Sequence, residues 1–203
     1  EQKTRYPDEG TIEITVNPSE PIELCIAIRV PGWAREEDPT SAAATSVKLT
    51  VCGESIAVDE VLSDGYVYLT RSWAEGDTIA LEFPMKVRRT HAHPAVRHDA
   101  WLVALERGPI VYCIEEEDNG NLLADVAVSR TDEIRALYDP DMLGGTTILR
   151  GTSVRHDYTD APQSLYLSGE KAVRSRKVPF IAIPFAFRSN RSPGEMRVWL
   201  HEA

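Results

Sequence analysis

Apolar and polar residues alternate along most of the first half of this chain. In Thr11-Ile-Glu-Ile-Thr-Val-Asn17, Ile12, Ile14 and Val16 fall on one face, and the pattern stops at the turn residues Asn17-Pro18-Ser19. Pro21 to Val30 alternates again, with Ile22, Leu24, Ile26, Ile28 and Val30 on one side and Glu23, Cys25, Ala27 and Arg29 on the other. Both segments read as half-buried antiparallel strands with one wet face. Shorter strands follow at Val47–Val51, Ser55–Val58, Tyr66–Thr70 and Thr78–Phe83, separated by Cys52-Gly53-Glu54, Asp64-Gly65 and the turn Trp73-Ala-Glu-Gly-Asp77. Ala34 to Ser46 is acidic, Ala-rich and without period, which predicts a surface excursion.

Near the middle, two apolar runs, Trp101–Leu105 and Ile110–Ile114, flank Glu106-Arg107-Gly108-Pro109. Gly-Pro would break a helix at its centre, so the stretch predicts two strands or one sharply bent strand. Before it, Arg88–Asp99 is polar and reads as a crossing segment. After it come an acidic turn (Glu115–Asn121), a largely looped stretch to Gly145, and short strand candidates at Thr146–Leu149, Gly151–Arg155 and Ser164–Leu167. Val178–Phe187 is apolar on both faces and holds two prolines, which suits an edge or a bulge. It is expected to pair as a hairpin with Glu195–Leu200. Strands recurring about every ten residues, with no amphipathic helix, predict an all-β protein. The expected architecture is two antiparallel β-sandwich units in tandem with little helix, over residues 1–94 and 95–203.

Charge narrows the partners. The formal net charge is −10, which repels a phosphate backbone and disfavours nucleic acid. No run approaches the roughly 18 apolar residues of a membrane helix. The three cysteines, Cys25, Cys52 and Cys113, are far apart and odd in number, which argues against a disulfide framework and favours a reducing, cytoplasmic setting. Glu1-Gln-Lys-Thr-Arg-Tyr-Pro7 has no apolar signal region and no initiator Met, so the chain reads as an excised piece or a processed product, and a missing N-terminal part could still carry a signal.

Candidate chemistry is sparse. His91 and His93 share a face of an extended segment and could hold a metal with His98 or Asp99, but no fourth ligand is in register, and water-facing histidines are the plainer reading. Glu115-Glu116-Glu117-Asp118 contains enough carboxylates for glycoside hydrolysis, yet consecutive acids beside Asn119-Gly120 more often form a solvated strand exit. No cysteine has a charged neighbour in sequence that would activate it. Trp33, Tyr66 and Trp73 could form a sugar-stacking surface; Trp101 and Trp199 fall in predicted strands and are expected to pack in the core.

Several stretches, in order, carry a family resemblance. They are Thr4-Arg-Tyr-Pro7, Ile28-Arg-Val-Pro-Gly-Trp33, Val51-Cys-Gly-Glu54, Gly65-Tyr-Val-Tyr-Leu69, Arg71-Ser-Trp-Ala-Glu-Gly-Asp77, Phe83-Pro-Met-Lys-Val-Arg-Arg89, Ala104-Leu-Glu-Arg-Gly-Pro-Ile-Val-Tyr112 and Asn190-Arg-Ser-Pro-Gly-Glu-Met-Arg-Val-Trp199. Together they resemble the C-terminal region of the β-L-arabinofuranosidase-like glycoside hydrolases of family 127, formerly a domain of unknown function. The resemblance implies that chemistry resides in a helical barrel upstream, where a zinc-bound cysteine nucleophile and a glutamate act, followed by two β-sandwich domains. No catalytic or metal residue carries over onto this sequence, which lacks adjacent cysteines. The chain is then expected to be a non-catalytic accessory region without its own cofactor, supporting its catalytic domain and contributing to a homodimer. Tyr6, Pro7, Pro31, Gly32 and Trp33, with Pro109 and Ile110, are the expected docking face. The alternative is a module that binds arabinose-containing glycans.

Overall fold

The computed structural model describes residues 1–35, 47–157, 166 and 174–203. These form two compact units, Glu1–Lys86 and Val87–Ala203, so His91, His93 and Pro94 belong to the second. Most of the expected Ala34–Ser46 excursion and of the Ser164–Leu167 strand lies outside the described residues.

The first unit has two sheets. One contains β1 (Gln2–Thr4), β2 (Thr11–Val16), β4 (Lys48–Val51), β5 (Glu54–Ile56) and β8 (Asp77–Glu82), in the order β1-β2-β8-β4-β5. The other contains β3 (Ile22–Arg29), β6 (Leu62–Ser63) and β7 (Tyr66–Trp73), in the order β3-β7-β6. A four-residue helix, α1 (Val58–Val61), links β5 to β6. Leu49, Val51, Ile79 and Leu81 from the larger sheet and Val67, Leu69 and Trp73 from the smaller join one buried core. The period-two pattern of the sequence is therefore the inside–outside pattern of a sandwich. It is incomplete at one place: on β3 Ile22 and Leu24 remain 47% and 37% exposed, while Val30, just past the strand, is buried.

In the second unit the sheet closes on itself. Its strands are β9 (Val87–His91), β10 (Leu102–Arg107), β11 (Ile110–Glu115), β12 (Ala127–Val128), β13 (Arg135–Asp139), β14 (Thr146–Asp157), β15 (Arg174–Pro184), β16 (Met196–Arg197) and β17 (Leu200–Glu202). The path β10-β11-β15-β14-β12-β17 returns to β10, forming a barrel, and β12 with β17 is a parallel pair. β10 and β11 are joined as a hairpin through Gly108-Pro109, with Arg107 opposite Ile110 and Gly108 at φ 56°. This is the two-strand form of the expected central stretch. The helix α2 (Glu116–Asn119) follows β11.

Three local expectations are corrected. Thr146–Leu149 and Gly151–Arg155 are one strand, because β14 continues through Gly151; a Cβ there would stand 2.7 Å from the Phe180 ring of β15, so the missing side chain permits close packing rather than a break. β15 does not form a hairpin with the C-terminal segment. It pairs with β14 and β11, stops at Pro184 before a 3₁₀ turn at Phe185–Phe187, and leaves β16 to β11 and β17 to β10 and β12. Its two apolar faces are explained by two cores: Phe180 and Ala182 enter the main cluster with Val103, Tyr112 and Leu149, while Ile181 and Ile183 meet a smaller one around Cys113 and Ile148. Trp101, expected in the core, is 86% exposed at φ 67°, because it precedes the first residue of β10 and has left the alternation.

Candidate functional site

The most developed polar constellation in the second unit is centred on Glu202. β9 places Arg89 and His91 two residues apart on one side of β10, and β17 brings Glu202 to the same end of the sheet. The Glu202 side chain is 7% exposed. Its carboxylate accepts from Arg89 at 3.0 Å, from His91 Nε2 at 3.1 Å and pairs with Arg130 Nε at 3.2 Å. Arg89 also donates to the carbonyls of Ser129 and Asp132, which fixes the guanidinium in place. Burial alone pushes the Glu202 carboxyl up, but the hydrogen bonds from His91 and Arg89, with the charge of Arg130, outweigh it and hold the acid below its usual range.

Beside this cluster lies a cavity of about 560 Å³, lined by His91, Pro94, Trp101, Leu102, Arg130 and Glu202 among others. Its lining is mainly apolar, with His91, Arg130 and Glu202 as the polar and charged members. The segment before Trp101 is held by successive turn hydrogen bonds, Val96 N–H to His93 O, Asp99 N–H to Val96 O and Leu102 N–H to Asp99 O. Sequence reasoning missed Arg89, Trp101, Arg130 and Glu202 as a group. They come from β9, the approach to β10, the loop after β12 and the last strand, and no local pattern links them.

The other sequence candidates separate. Glu115 and Asp118 do not form an acid/base pair: both are bound by Arg191, at 2.8 Å and 2.5 Å, and Glu115 also accepts from Ser189 N–H. The hydrogen bonds that Arg191 donates to Asp118, and then to Glu115, raise its pKa further against the cost of burial. This triad ties β11 and α2 to the loop before β16. A second exposed-to-buried cluster joins Asp125 with His156 and Arg155. His91 is committed to Glu202, and the ring of His93 accepts from Ala95 N–H. Among the described residues no three of His, Cys, Asp and Glu gather into a group that could hold a metal ion. Cys25 and Cys52 are exposed; the Cys52 thiol donates to Asp77 at 3.3 Å. Cys113 is buried, and burial reinforced by the charge of Glu115 pushes its thiol up to about 12, the opposite of activation.

Of the proposed sugar-stacking residues, Trp73 is corrected: it is fully buried on the inward face of β7 and donates its indole N–H to Leu24 O at 3.1 Å, so it offers no face to a ligand. Trp33 is half-buried, with Tyr6 stacked 6.5 Å away and Phe83 edge-on at 5.7 Å. Tyr66 is 39% exposed beside Tyr68. In the docking-face set, Pro7, Gly32 and Pro109 are exposed, whereas Tyr6, Pro31, Trp33 and Ile110 are half-buried. The first-unit corner thus turns its rings into its own core and leaves Pro7 and Gly32 at the surface. No described helix is long and apolar enough to cross a membrane.

Comparison with known proteins agrees with this division. Residues 1–85 match the β-L-arabinofuranosidase GH127 middle domain, and residues 87–201 match the glycoside hydrolase family 127 C-terminal domain. A non-reducing end β-L-arabinofuranosidase of Bifidobacterium longum subsp. longum is 36% identical over 98% of this chain, which covers 30% of that protein. Among solved structures, a GH127 β-L-arabinofuranosidase from Geobacillus stearothermophilus T6 is 40% identical with a TM-score of 0.89, over all of this chain and 30% of its own. A GH127 β-arabinofuranosidase is 26% identical with a TM-score of 0.82, over all of this chain and 31% of its own. The chain spans less than a third of the length of these relatives. With both units matched in order and over almost their full extent, this chain belongs to glycoside hydrolase family 127.

Proposed function

We propose that the chain is a non-catalytic β region of a longer family 127 enzyme, one that supports a helical catalytic domain elsewhere in that enzyme and contributes to its dimerisation. The observation that carries the reading is extent combined with chemistry. The chain corresponds to the middle and C-terminal domains of relatives more than three times its length. Among the described residues the buried carboxylates of Glu115, Asp118 and Glu202 are all engaged by arginines, an arrangement suited to holding strands together rather than to exchanging protons with a substrate. Because the relatives are β-L-arabinofuranosidases, the parent enzyme is taken to release β-L-arabinofuranose-type sugars, with any zinc bound in its catalytic domain. On the first unit Pro7 and Gly32, with the half-buried Tyr6, Pro31 and Trp33, and on the second Pro109 with the half-buried Ile110, are the residues offered for docking.

The test is hydrolysis of p-nitrophenyl β-L-arabinofuranoside by the purified 203-residue chain, with and without added zinc. No turnover is expected in either case. Turnover by the chain alone would overturn the non-catalytic reading, and a strictly monomeric chain in sedimentation would remove the dimerisation part.

A further inference from the structure

We infer that the cavity beside Trp101 is a sugar-binding site of the second unit, in which a neutral pentose stacks on the indole and is hydrogen-bonded by Arg130 and His91. This goes beyond the supporting role above, since a region can support a catalytic domain without holding sugar itself.

Trp101 is the first ground. A tryptophan that finds no core is usually at least covered, yet this one is 86% exposed. It is also held at φ 67°, where residues other than Gly, Asn and Asp seldom sit. Such a conformation persists only where the surroundings impose it, and it concentrates at ligand sites. Here it turns the indole out of β10 and onto the cavity. The second ground is the charged part of the lining. Arg130 engages Glu202 through Nε and His91 through Nε2, so the buried carboxylate orients both groups, while their side chains remain 61% and 55% exposed. Glu202 is in turn locked by Arg89, and Arg130 N–H donates to Ala203 O at 2.8 Å. Both polar groups are therefore positioned before any ligand arrives, which lowers the ordering cost of binding.

The third ground is shape and chemical balance. A volume of about 560 Å³ lies within the range of small-molecule pockets, and a mainly apolar lining with a few fixed polar groups is their usual composition. A sugar has both surfaces: C–H groups on one ring face for the indole, and hydroxyls at the rim that accept from the Arg130 guanidinium and donate to the His91 ring nitrogen left free by Glu202. A nucleotide fits less well, because its phosphates would approach a protein of net charge −10 with no glycine-rich backbone cradle at this cavity. The relatives that share both units act on arabinofuranosides by name, which selects a pentose.

The experiment follows tryptophan emission of the 203-residue chain during titration with L-arabinose, with glycerol as a control for bulk solvent effects. A saturable change with an apparent Kd of about 1 mM is expected, as befits a single stacked ring and a few hydrogen bonds. Trp101→Ala should abolish it, and Arg130→Ala should weaken it about tenfold. A native far-ultraviolet circular dichroism spectrum of both variants checks that the fold is intact, and Trp101→Ala, whose ring is exposed, should also melt like the parent chain. The proposal is overturned if arabinose gives no saturation up to about 50 mM, a range that covers even very weak sites. It is equally overturned if glycerol reproduces the change, or if Trp101→Ala titrates like the parent chain. Acrylamide quenching supplies an independent arm: an indole at position 101 already shielded in the free chain would mean that a protein surface, such as a second copy, fills the cavity instead.

Discussion

The aromatic corner of the first unit and the Trp101 cavity of the second use the same kind of side chain in opposite ways. In the first unit Tyr6, Trp33 and Phe83 pack around one another within about 6 Å (centroid separations 5.7–6.5 Å), and Trp73 vanishes into the core with its indole N–H satisfied by Leu24 O. In the second unit the largest exposed aromatic of the structured segments near β10, Trp101, has an open face beside charged groups. The difference lies in what surrounds each ring. Trp73 closes an eight-residue strand and shares the inward face with Val67 and Leu69, so the sandwich must bury it. Trp101 stands one residue before its strand, where a positive φ frees it from that alternation. An aromatic thus becomes core or contact according to its register, and identity alone does not decide.

The largest test of this contrast is Trp73→Ala. Loss of a fully buried indole should cost about 3–5 kcal/mol and lower the first unit's urea midpoint sharply. A shift of less than about 1 kcal/mol would mean that Trp73 is not the core element described. Next is Arg191→Ala, which leaves the buried carboxylates of Glu115 and Asp118 without their cation. A loss of about 3 kcal/mol is expected in the second unit, and Arg191→Lys should recover only part because a point charge cannot serve both acids as a planar fork does. Full recovery by lysine would contradict the bidentate geometry.

Glu202 extends the comparison to pH. Its folded pKa lies below the ordinary 4.5, so its contribution to stability is complete above 4.5 and disappears as pH falls through the lower folded value. Acid should therefore destabilise the second unit progressively below 4.5, and Glu202→Gln should flatten that limb. Identical acid limbs for the two proteins, read by circular dichroism, would count against the ion-pair account. A smaller effect separates packed from unpacked rings. A double-mutant cycle on Tyr6 and Trp33 should give a coupling of about 1 kcal/mol, typical of aromatic pairs. Trp101→Ala, at the low end, should change stability by no more than about 0.5 kcal/mol. A large loss there would return Trp101 to a structural role.

Much of the architecture was already fixed by residue order. Strict alternation in Thr11–Val16 and Pro21–Val30 suits a half-buried strand, and Gly108-Pro109 between two apolar runs excludes a helix and leaves two strands or one sharply bent strand. Those are local constraints, acting within a few residues, and they carried the all-β class; the pairing of β10 with β11 chose the hairpin over the bent strand. The ordered family motifs added membership in the glycoside hydrolase family. Partner choice between strands was different. That β15 joins β14 and β11, that the barrel closes through β17, and that β12 and β17 run parallel depend on contacts between residues far apart in the chain. β13 escaped notice because its residues are mostly exposed and do not alternate, so its strand character comes from pairing with β14 rather than from its own pattern. The Glu202 cluster was equally invisible: Arg89, Arg130 and Glu202 are each unremarkable charges in sequence, and only strand pairing places two guanidiniums and an imidazole around one buried carboxylate. Hydrophobic periodicity is a property of neighbours along the chain and can be read there. Electrostatic constellations and cavities are properties of neighbours in space, and folding alone decides them.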